Sequence, residues 1–178
     1  MVSSMASAEK VAWSGHVIAV QPRIRLTRSF DERSHIYLGY VLCIDGTCGG
    51  QAGEFLIAVG EAAHEKHRFQ TGIELSGCSV PVEDPRKETA ALYKTSGLKV
   101  VRNAKGETPA GPPFLGVPPN LATYRSRGHR RLDARTYDTK CTICVWGCRM
   151  PVEMIIDQWN PSKKQYRFET FCYGPKSC

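Results

Sequence analysis

The feature that most constrains this chain is a group of five cysteines in its last 38 residues. They lie in two short runs, CTICVWGC at residues 141–148 and CYGPKSC at residues 172–178. Between the runs, alternating residues on either side of Asn160-Pro161-Ser162 predict a β-hairpin, whose outer ends would bring the two runs together. A hairpin this small buries too little apolar surface to order itself, and a metal ion at its open end would stabilise it.

Four thiolates from the two runs would suit Zn²⁺, which takes four ligands in closed structural sites. The predicted ligands are Cys141, Cys144, Cys172 and Cys178, with Cys148 as a competing ligand. Two cysteine turns joined by a hairpin resemble a zinc ribbon. The C-x2-C-x3-C spacing of the first run also fits an iron–sulfur cluster, which likewise uses four thiolates. Disulfides, or reduced thiols without a metal, are the remaining interpretation.

The chain length and the N-terminal sequence bear on organisation and compartment. A chain of 178 residues can form one domain with a sizeable core and a small appendage. The opening MVSSMASAEK, residues 1–10, predicts a frayed terminus and lacks the apolar stretch of a secretory signal. We therefore expect a reducing, cytoplasmic compartment, where metal is favoured over disulfides. No apolar run approaches the length that crosses a membrane, so no membrane partner is expected.

Residues 11–103 have the pattern of a β-rich unit. Apolar alternation and runs of β-forming residues predict five strands, with Pro22 at a bend in the first and Gly39 at a bend or close approach in the second. The strands are expected at residues 11–28, 35–44, 54–59, within 69–82 and at 98–101. Residues 61–66 have the composition of one or two helical turns. Five strands without a sustained helical period predict a small closed barrel.

Three stretches of this unit carry a resemblance in their glycine placement and strand rhythm. They are SGHV at 14–17, YLGYVLCIDG at 37–46 and HRFQTGIELSG at 67–77. These patterns are similar to those of an OB-fold, which implies a five-stranded Greek-key barrel of the kind often used to bind oligonucleotides. The predicted fold class is therefore all-β, with an OB-like barrel over residues 11–103 and a zinc-ribbon-like hairpin over residues 141–178.

A Pro/Gly-rich connector at residues 104–120 and a basic segment at residues 121–140 join these two parts. Guanidinium groups pair with phosphate oxygens, and interleaved tyrosines can stack on bases. With a formal charge of +7, the chain favours anionic partners, and we predict binding of single-stranded DNA or RNA. The predicted contact residues are Arg23, Arg25, Arg125, Arg127, Arg130, Arg131 and Tyr124. Alternatively, the segment is a solvated connector whose arginines pair with acids such as Asp133 and Asp138.

No motif in the sequence indicates catalysis. A phosphate-cradling loop, a dinucleotide fingerprint and a nucleophile elbow are all missing from the sequence. The leading functional prediction is therefore a non-catalytic, metal-stabilised nucleic-acid-binding module. An alternative is an accessory protein of acyl- or coenzyme-handling enzymes, because a family that works beside thiolase-type enzymes has a similar set of parts, a zinc ribbon and an OB-fold, in the opposite order. A second alternative is an iron–sulfur protein of electron transfer.

Overall fold

The computed structural model describes residues 8–30 and 33–178, and the predicted frayed terminus lies mostly outside this range. β-Strands dominate the described residues, so the chain is an all-β protein, as predicted. The strands are β1 Val11–Arg28, β2 Arg33–Cys48, β3 Gln51–Val59, β4 Glu74–Pro81, β5 Leu92–Arg102, β6 Arg130–Leu132, β7 Gly147–Ile155 and β8 Lys164–Cys172. The helices are α1 Glu61–His67, α2 Leu121–Arg127 and α3 Ala134–Thr136, which runs into a π-helical turn, Tyr137–Cys141.

All eight strands belong to one sheet, in the order β2-β3-β5-β4-β1-β7-β8-β6. An additional antiparallel pairing joins β1 to β2, so pairing among the first five strands returns to the strand where it starts. The β3–β5 and β1–β7 pairs are parallel, and the other pairs are antiparallel. Of the helices in the part of the chain that the structure describes, none has the length and apolar character needed to cross a bilayer.

The long first strand connects the first five strands of the sheet to the C-terminal hairpin. Its first residues, Val11 to His16, pair with β4, and its last three, Leu26 to Arg28, pair with β7. Burial alternates along most of the strand, as expected for one covered face, but residues 19–22 are buried on both faces. Strand β1 therefore passes between two packed layers at this point, and its polar residues there must find partners inside the protein.

Gly39 lies at a close approach between β2 and the end of β3, as the sequence predicts. Its φ of +123° is outside the range that side chains favour, and a Cβ at this position would lie 2.3 Å from the carbonyl oxygen of Val59. Two chain segments therefore come closer here than any side chain allows.

The C-terminal hairpin forms as predicted and continues the sheet from β1. Strands β7 and β8 pair in register from Gly147 opposite Cys172 to Ile155 opposite Lys164. The turn closes with a backbone hydrogen bond of 3.0 Å from Lys163 to Asn160. The hairpin's apolar side chains, including those of Met150 and Phe171, belong to the same core cluster as those of Trp13 and Leu42 in the first two strands. One continuous core thus joins the hairpin to β1 and β2.

The basic segment contains regular structure that its sequence did not predict. Asn120 caps α2 by accepting a hydrogen bond of 2.9 Å from the Thr123 amide, and Asp133 caps α3 in the same way at Thr136. Between the two helices, β6 adds an edge strand to β8. The segment is therefore bound to the hairpin through β6.

Candidate metal centre and basic surface

The four cysteines predicted as metal ligands line one cavity of about 720 Å³ at the open end of the hairpin. Cys141 ends the π-helical turn, Cys144 follows in the turn before β7, Cys172 is the last residue of β8, and Cys178 ends the chain segment that follows. The β7–β8 pairing and the loop after β8 bring these positions together although they are far apart in sequence.

The thiol side chains do not form a preassembled metal site. Among residues 8–30 and 33–178, no group of three or more His, Cys, Asp or Glu side chains is arranged to hold a metal ion. All eight cysteines of the chain, which fall within those ranges, are free thiols. Burial is the largest cause that raises the pKa of the Cys141 thiol, and the nearby Cys172, Cys144 and Cys178 raise it further. The four thiols therefore lie close enough to influence one another, and metal binding by them remains a prediction.

Backbone and side-chain donors surround two of these sulfur atoms. The amide of Gly174 donates to Cys172 Sγ over 3.2 Å, and Arg130 Nη2 lies 3.5 Å from the same atom. Burial raises the pKa of the Cys144 thiol, while backbone hydrogen bonds from Trp146 and Phe114 act in the opposite direction. Hydrogen-bond donors directed at a sulfur atom stabilise its thiolate form. The local turn is the same at both sites, because Trp146 and Gly174 each follow a cysteine by two residues.

Gln21 connects the first cysteine run to β1. Its amide nitrogen donates to the carbonyl oxygens of Cys141 and Cys144 over 2.7 and 2.9 Å, and its amide oxygen accepts from the Tyr137 hydroxyl over 2.5 Å. The side chain of Gln21 is 9% exposed, so these bonds replace water that the buried strand excludes. Gln21 therefore holds the C-x2-C turn from a position 120 residues earlier in the chain.

Cys148, predicted as a competing ligand, lies in the core and does not line the cavity. It is fully buried, and its thiol donates to the carbonyl oxygen of Pro22 over 3.3 Å. Burial raises the pKa of this thiol well above its usual range. Successive residues of a strand point to opposite faces, so Gly147 faces the cavity where Cys148 faces the core.

Several of the arginines predicted to bind phosphate are engaged within the protein. Arg23 forms a two-pronged ion pair with Glu88. Arg127 donates to the Tyr173 carbonyl over 2.8 Å and lies over the ring of Trp146. Besides its contact with Cys172, Arg130 donates to the Pro175 carbonyl over 3.0 Å. Arg25 is half-buried and borders a small crevice next to Glu153.

Arg125 and Arg131 have the more accessible guanidinium groups. Arg125 is exposed and lies 4.7 Å from the ring centre of Tyr37 on β2. The Arg131 side chain is 62% exposed, and its closest carboxylate, that of Glu169, is 3.7 Å away. Neither the alternative partner Asp133, which caps α3, nor Asp138 forms an ion pair with these arginines among the described residues.

Tyr124, predicted to stack on a base, is buried instead. Its exposed fraction is 0%, its hydroxyl donates to the Val145 carbonyl over 2.6 Å, and its ring meets those of Trp146 and Tyr173 edge to face. These contacts bury the ring between the residues just before β7 and the residue just after β8, which leaves no ring surface for a base. The prediction for Tyr124 is therefore wrong.

Positive charge is concentrated in the part of the chain that carries the cavity. Residues 104–178 contain twelve Lys and Arg against six Asp and Glu, whereas residues 1–103 contain twelve against eleven. A second group of cations lies at the start of β2. There, the ring centres of His35 and His129 are 4.6 Å apart, and burial together with Arg28 and Arg33 lowers the pKa of both histidines.

Glu169 is the buried counter-charge on this side of the sheet. Its side chain is 2% exposed and accepts from Arg28 over 2.6 Å and from Arg167 over 2.8 Å. Burial acts to raise the pKa of Glu169, but the hydrogen bonds from Arg167 and Arg28 outweigh it and lower the pKa. The single negative charge of Glu169 is thus shared among several guanidinium groups, so the surface around it keeps a net positive charge.

Comparisons with known proteins find no matching family model and no similar curated protein or solved structure.

Proposed function

We propose that the protein is a non-catalytic, metal-stabilised module that binds single-stranded nucleic acid. In this proposal β1 to β5 form an OB-like barrel. The closed circuit of pairings β1-β2-β3-β5-β4-β1 supports that assignment, because a barrel is a sheet whose last strand pairs with its first. The C-terminal hairpin and the basic segment would then form a second surface beside the barrel.

The proposed metal is Zn²⁺, bound by Cys141, Cys144, Cys172 and Cys178. Four thiolates are a common ligand set of structural zinc, and the Gly174 amide that donates to Cys172 Sγ would also stabilise that sulfur as a metal-bound thiolate. Four thiolates and one Zn²⁺ carry a net charge of about −2, which the nearby Arg130 partly offsets. The zinc would fix the loops that meet at the open end of the hairpin. An iron–sulfur cluster on the same thiols, with electron transfer as the function, is the competing proposal, and visible absorbance would identify it.

The excess positive charge of residues 104–178 is the observation that carries the nucleic-acid proposal. Two elements of this part carry exposed guanidinium groups, Arg125 on α2 and Arg131 on β6. The carboxylate 3.7 Å from Arg131, that of Glu169, is shared with Arg28 and Arg167 and so neutralises Arg131 only in part. The exposed Arg33 extends the cationic surface to the start of β2. A single strand follows such a surface through its phosphates and needs no specific base contacts.

Titration of a fluorescent single-stranded oligonucleotide at several salt concentrations tests this proposal. The logarithm of the affinity should fall linearly with the logarithm of salt concentration. Replacing Arg125 or Arg131 with Gln should reduce that slope by roughly 0.7, as expected for one phosphate contact on a single strand. Lys99→Gln is the matched control, because it removes one exposed charge from β5 and should leave the slope unchanged. Affinity that does not depend on salt would contradict the proposal.

A further inference from the structure

The cavity beside the four cysteines is larger than a metal ion requires. Its volume is about 720 Å³, within the range of about 300 to 1,000 Å³ typical of small-molecule sites. A structural zinc site is closed by its own ligands and leaves no such space. The thiols line only part of this cavity, and most of the remaining lining divides into a cationic part and an apolar part.

One part of the lining is cationic. Arg130, Arg131 and Lys140 border the cavity, and none of the described lining residues is Asp or Glu. The carbonyl oxygens of Gly174 and Pro175 accept from one Nη of Arg130, whereas Arg131, which lies 3.7 Å from Glu169 outside the cavity, and Lys140 are exposed. The three positive charges exceed the net charge of about −2 of a four-thiolate zinc site, so the lining still favours an anionic group, and phosphate is an anion that Arg and Lys commonly bind.

The other part of the lining is flat and apolar. Pro112, Pro113 and Phe114 of the connector face the cavity together with Ile143 and Trp146. A backbone hydrogen bond of 2.9 Å from Val145 to the Phe114 carbonyl holds the connector against the cysteine run. Aromatic and prolyl surfaces of this kind bind planar rings, and a nucleobase gains free energy by leaving water for such a surface.

We infer that this cavity binds one nucleotide, with its phosphate at Arg131 and Lys140 and its base against the apolar lining. This inference refines the proposed function, because a strand that crosses the basic surface would place one of its nucleotides here. A free nucleotide, or the nucleotide part of a coenzyme, has the same chemistry. The two sources are separated by using adenosine 5′-monophosphate and a ten-residue oligo(dA) as probes.

The test is calorimetric titration of the full-length, metal-loaded protein with each probe. Lys140→Gln removes one phosphate contact, and Thr139→Trp fills the cavity from an exposed lining position. Each variant should weaken binding of the mononucleotide by about tenfold or more. Lys140→Gln removes one charge-assisted hydrogen bond, which contributes about that factor, and Thr139→Trp places an indole in the space that the nucleotide needs. Lys163→Gln and Thr47→Trp are the matched controls, with the same changes at exposed positions outside the cavity, and they should bind as the wild type does. Metal content and circular dichroism, measured for every variant, show whether it is folded.

The possible outcomes separate this inference from the proposed function. Mononucleotide binding that both cavity variants weaken supports the inference, and it does so even if oligo(dA) fails to bind, in which case the nucleic-acid proposal is wrong. Salt-sensitive oligo(dA) binding that the cavity variants leave unchanged, with no mononucleotide binding, overturns the inference and leaves the proposed function standing. Absence of binding by both probes overturns both.

Discussion

Gln21 offers the sharpest test of how the cysteine run is held in place. Replacing it with Met keeps most of its volume and removes three hydrogen bonds, two to the carbonyls of Cys141 and Cys144 and one from Tyr137. Each bond contributes about 0.5 to 1.5 kcal/mol net, and a buried partner left unsatisfied costs about 1 to 3 kcal/mol. We therefore expect Gln21→Met to lower the free energy of unfolding by about 2 to 4 kcal/mol.

A double-mutant cycle with Tyr137→Phe isolates one of these bonds. Removing the Tyr137 hydroxyl in the Gln21→Met background should cost less than in the wild type, with a coupling energy of about 1 kcal/mol. Urea unfolding followed by tryptophan fluorescence provides all four free energies. Because Gln21 positions the C-x2-C turn, Gln21→Met should also reduce the affinity for zinc in competition with a chelator. Unchanged stability together with zero coupling would show that the Gln21 side chain does not hold the cysteine run in place.

Four further predictions concern single residues. Gly39→Ala should destabilise the protein by more than about 2 kcal/mol in urea unfolding, because strain at a positive φ adds to the clash of its Cβ with backbone. Cys148→Ala should lower stability but leave metal content unchanged, and loss of metal would show that Cys148 is a ligand. His64 has a pKa that burial lowers despite its hydrogen bond to Pro118, so folding favours the neutral ring. Stability should be complete above the usual histidine pKa of 6.5 and fall as pH drops below it, and His64→Gln should reduce this slope in pH-dependent unfolding. Glu169, whose pKa is lowered, contributes stability that is present above its usual pKa of 4.5 and lost as pH falls further, so Glu169→Gln should flatten the acid limb.

The strands and the C-terminal hairpin could be predicted because their signals are local. Alternation along residues 11–28 and the Asn160-Pro161-Ser162 turn each specify an element without reference to the rest of the chain. The convergence of the four cysteines on one cavity followed from the hairpin alone. By contrast, α2 and β6 were missed, because an arginine-rich segment has no apolar periodicity and its elements are stabilised by capping and by pairing with β8.

The roles of individual polar residues depended on tertiary contacts that no local pattern shows. The sequence around Tyr124 is compatible both with a ring that stacks on a base and with a ring that packs in the core. Only the packing of α2 shows that the ring is buried. Gln21 stands in an apolar stretch of β1, which could have marked it as a buried polar residue in need of partners, but the identity of those partners required the fold. Arginines of the basic segment likewise contact backbone carbonyls and aromatic rings, and not the acids next to them in sequence.

Metal analysis of protein purified without oxygen shows whether the four thiols bind zinc. We expect a colourless protein with one zinc ion per chain, and loss of that zinc when any one of Cys141, Cys144, Cys172 or Cys178 is replaced with Ser. A protein that holds no metal, and whose four thiols all react freely with a thiol reagent while the hairpin stays folded, would contradict this expectation.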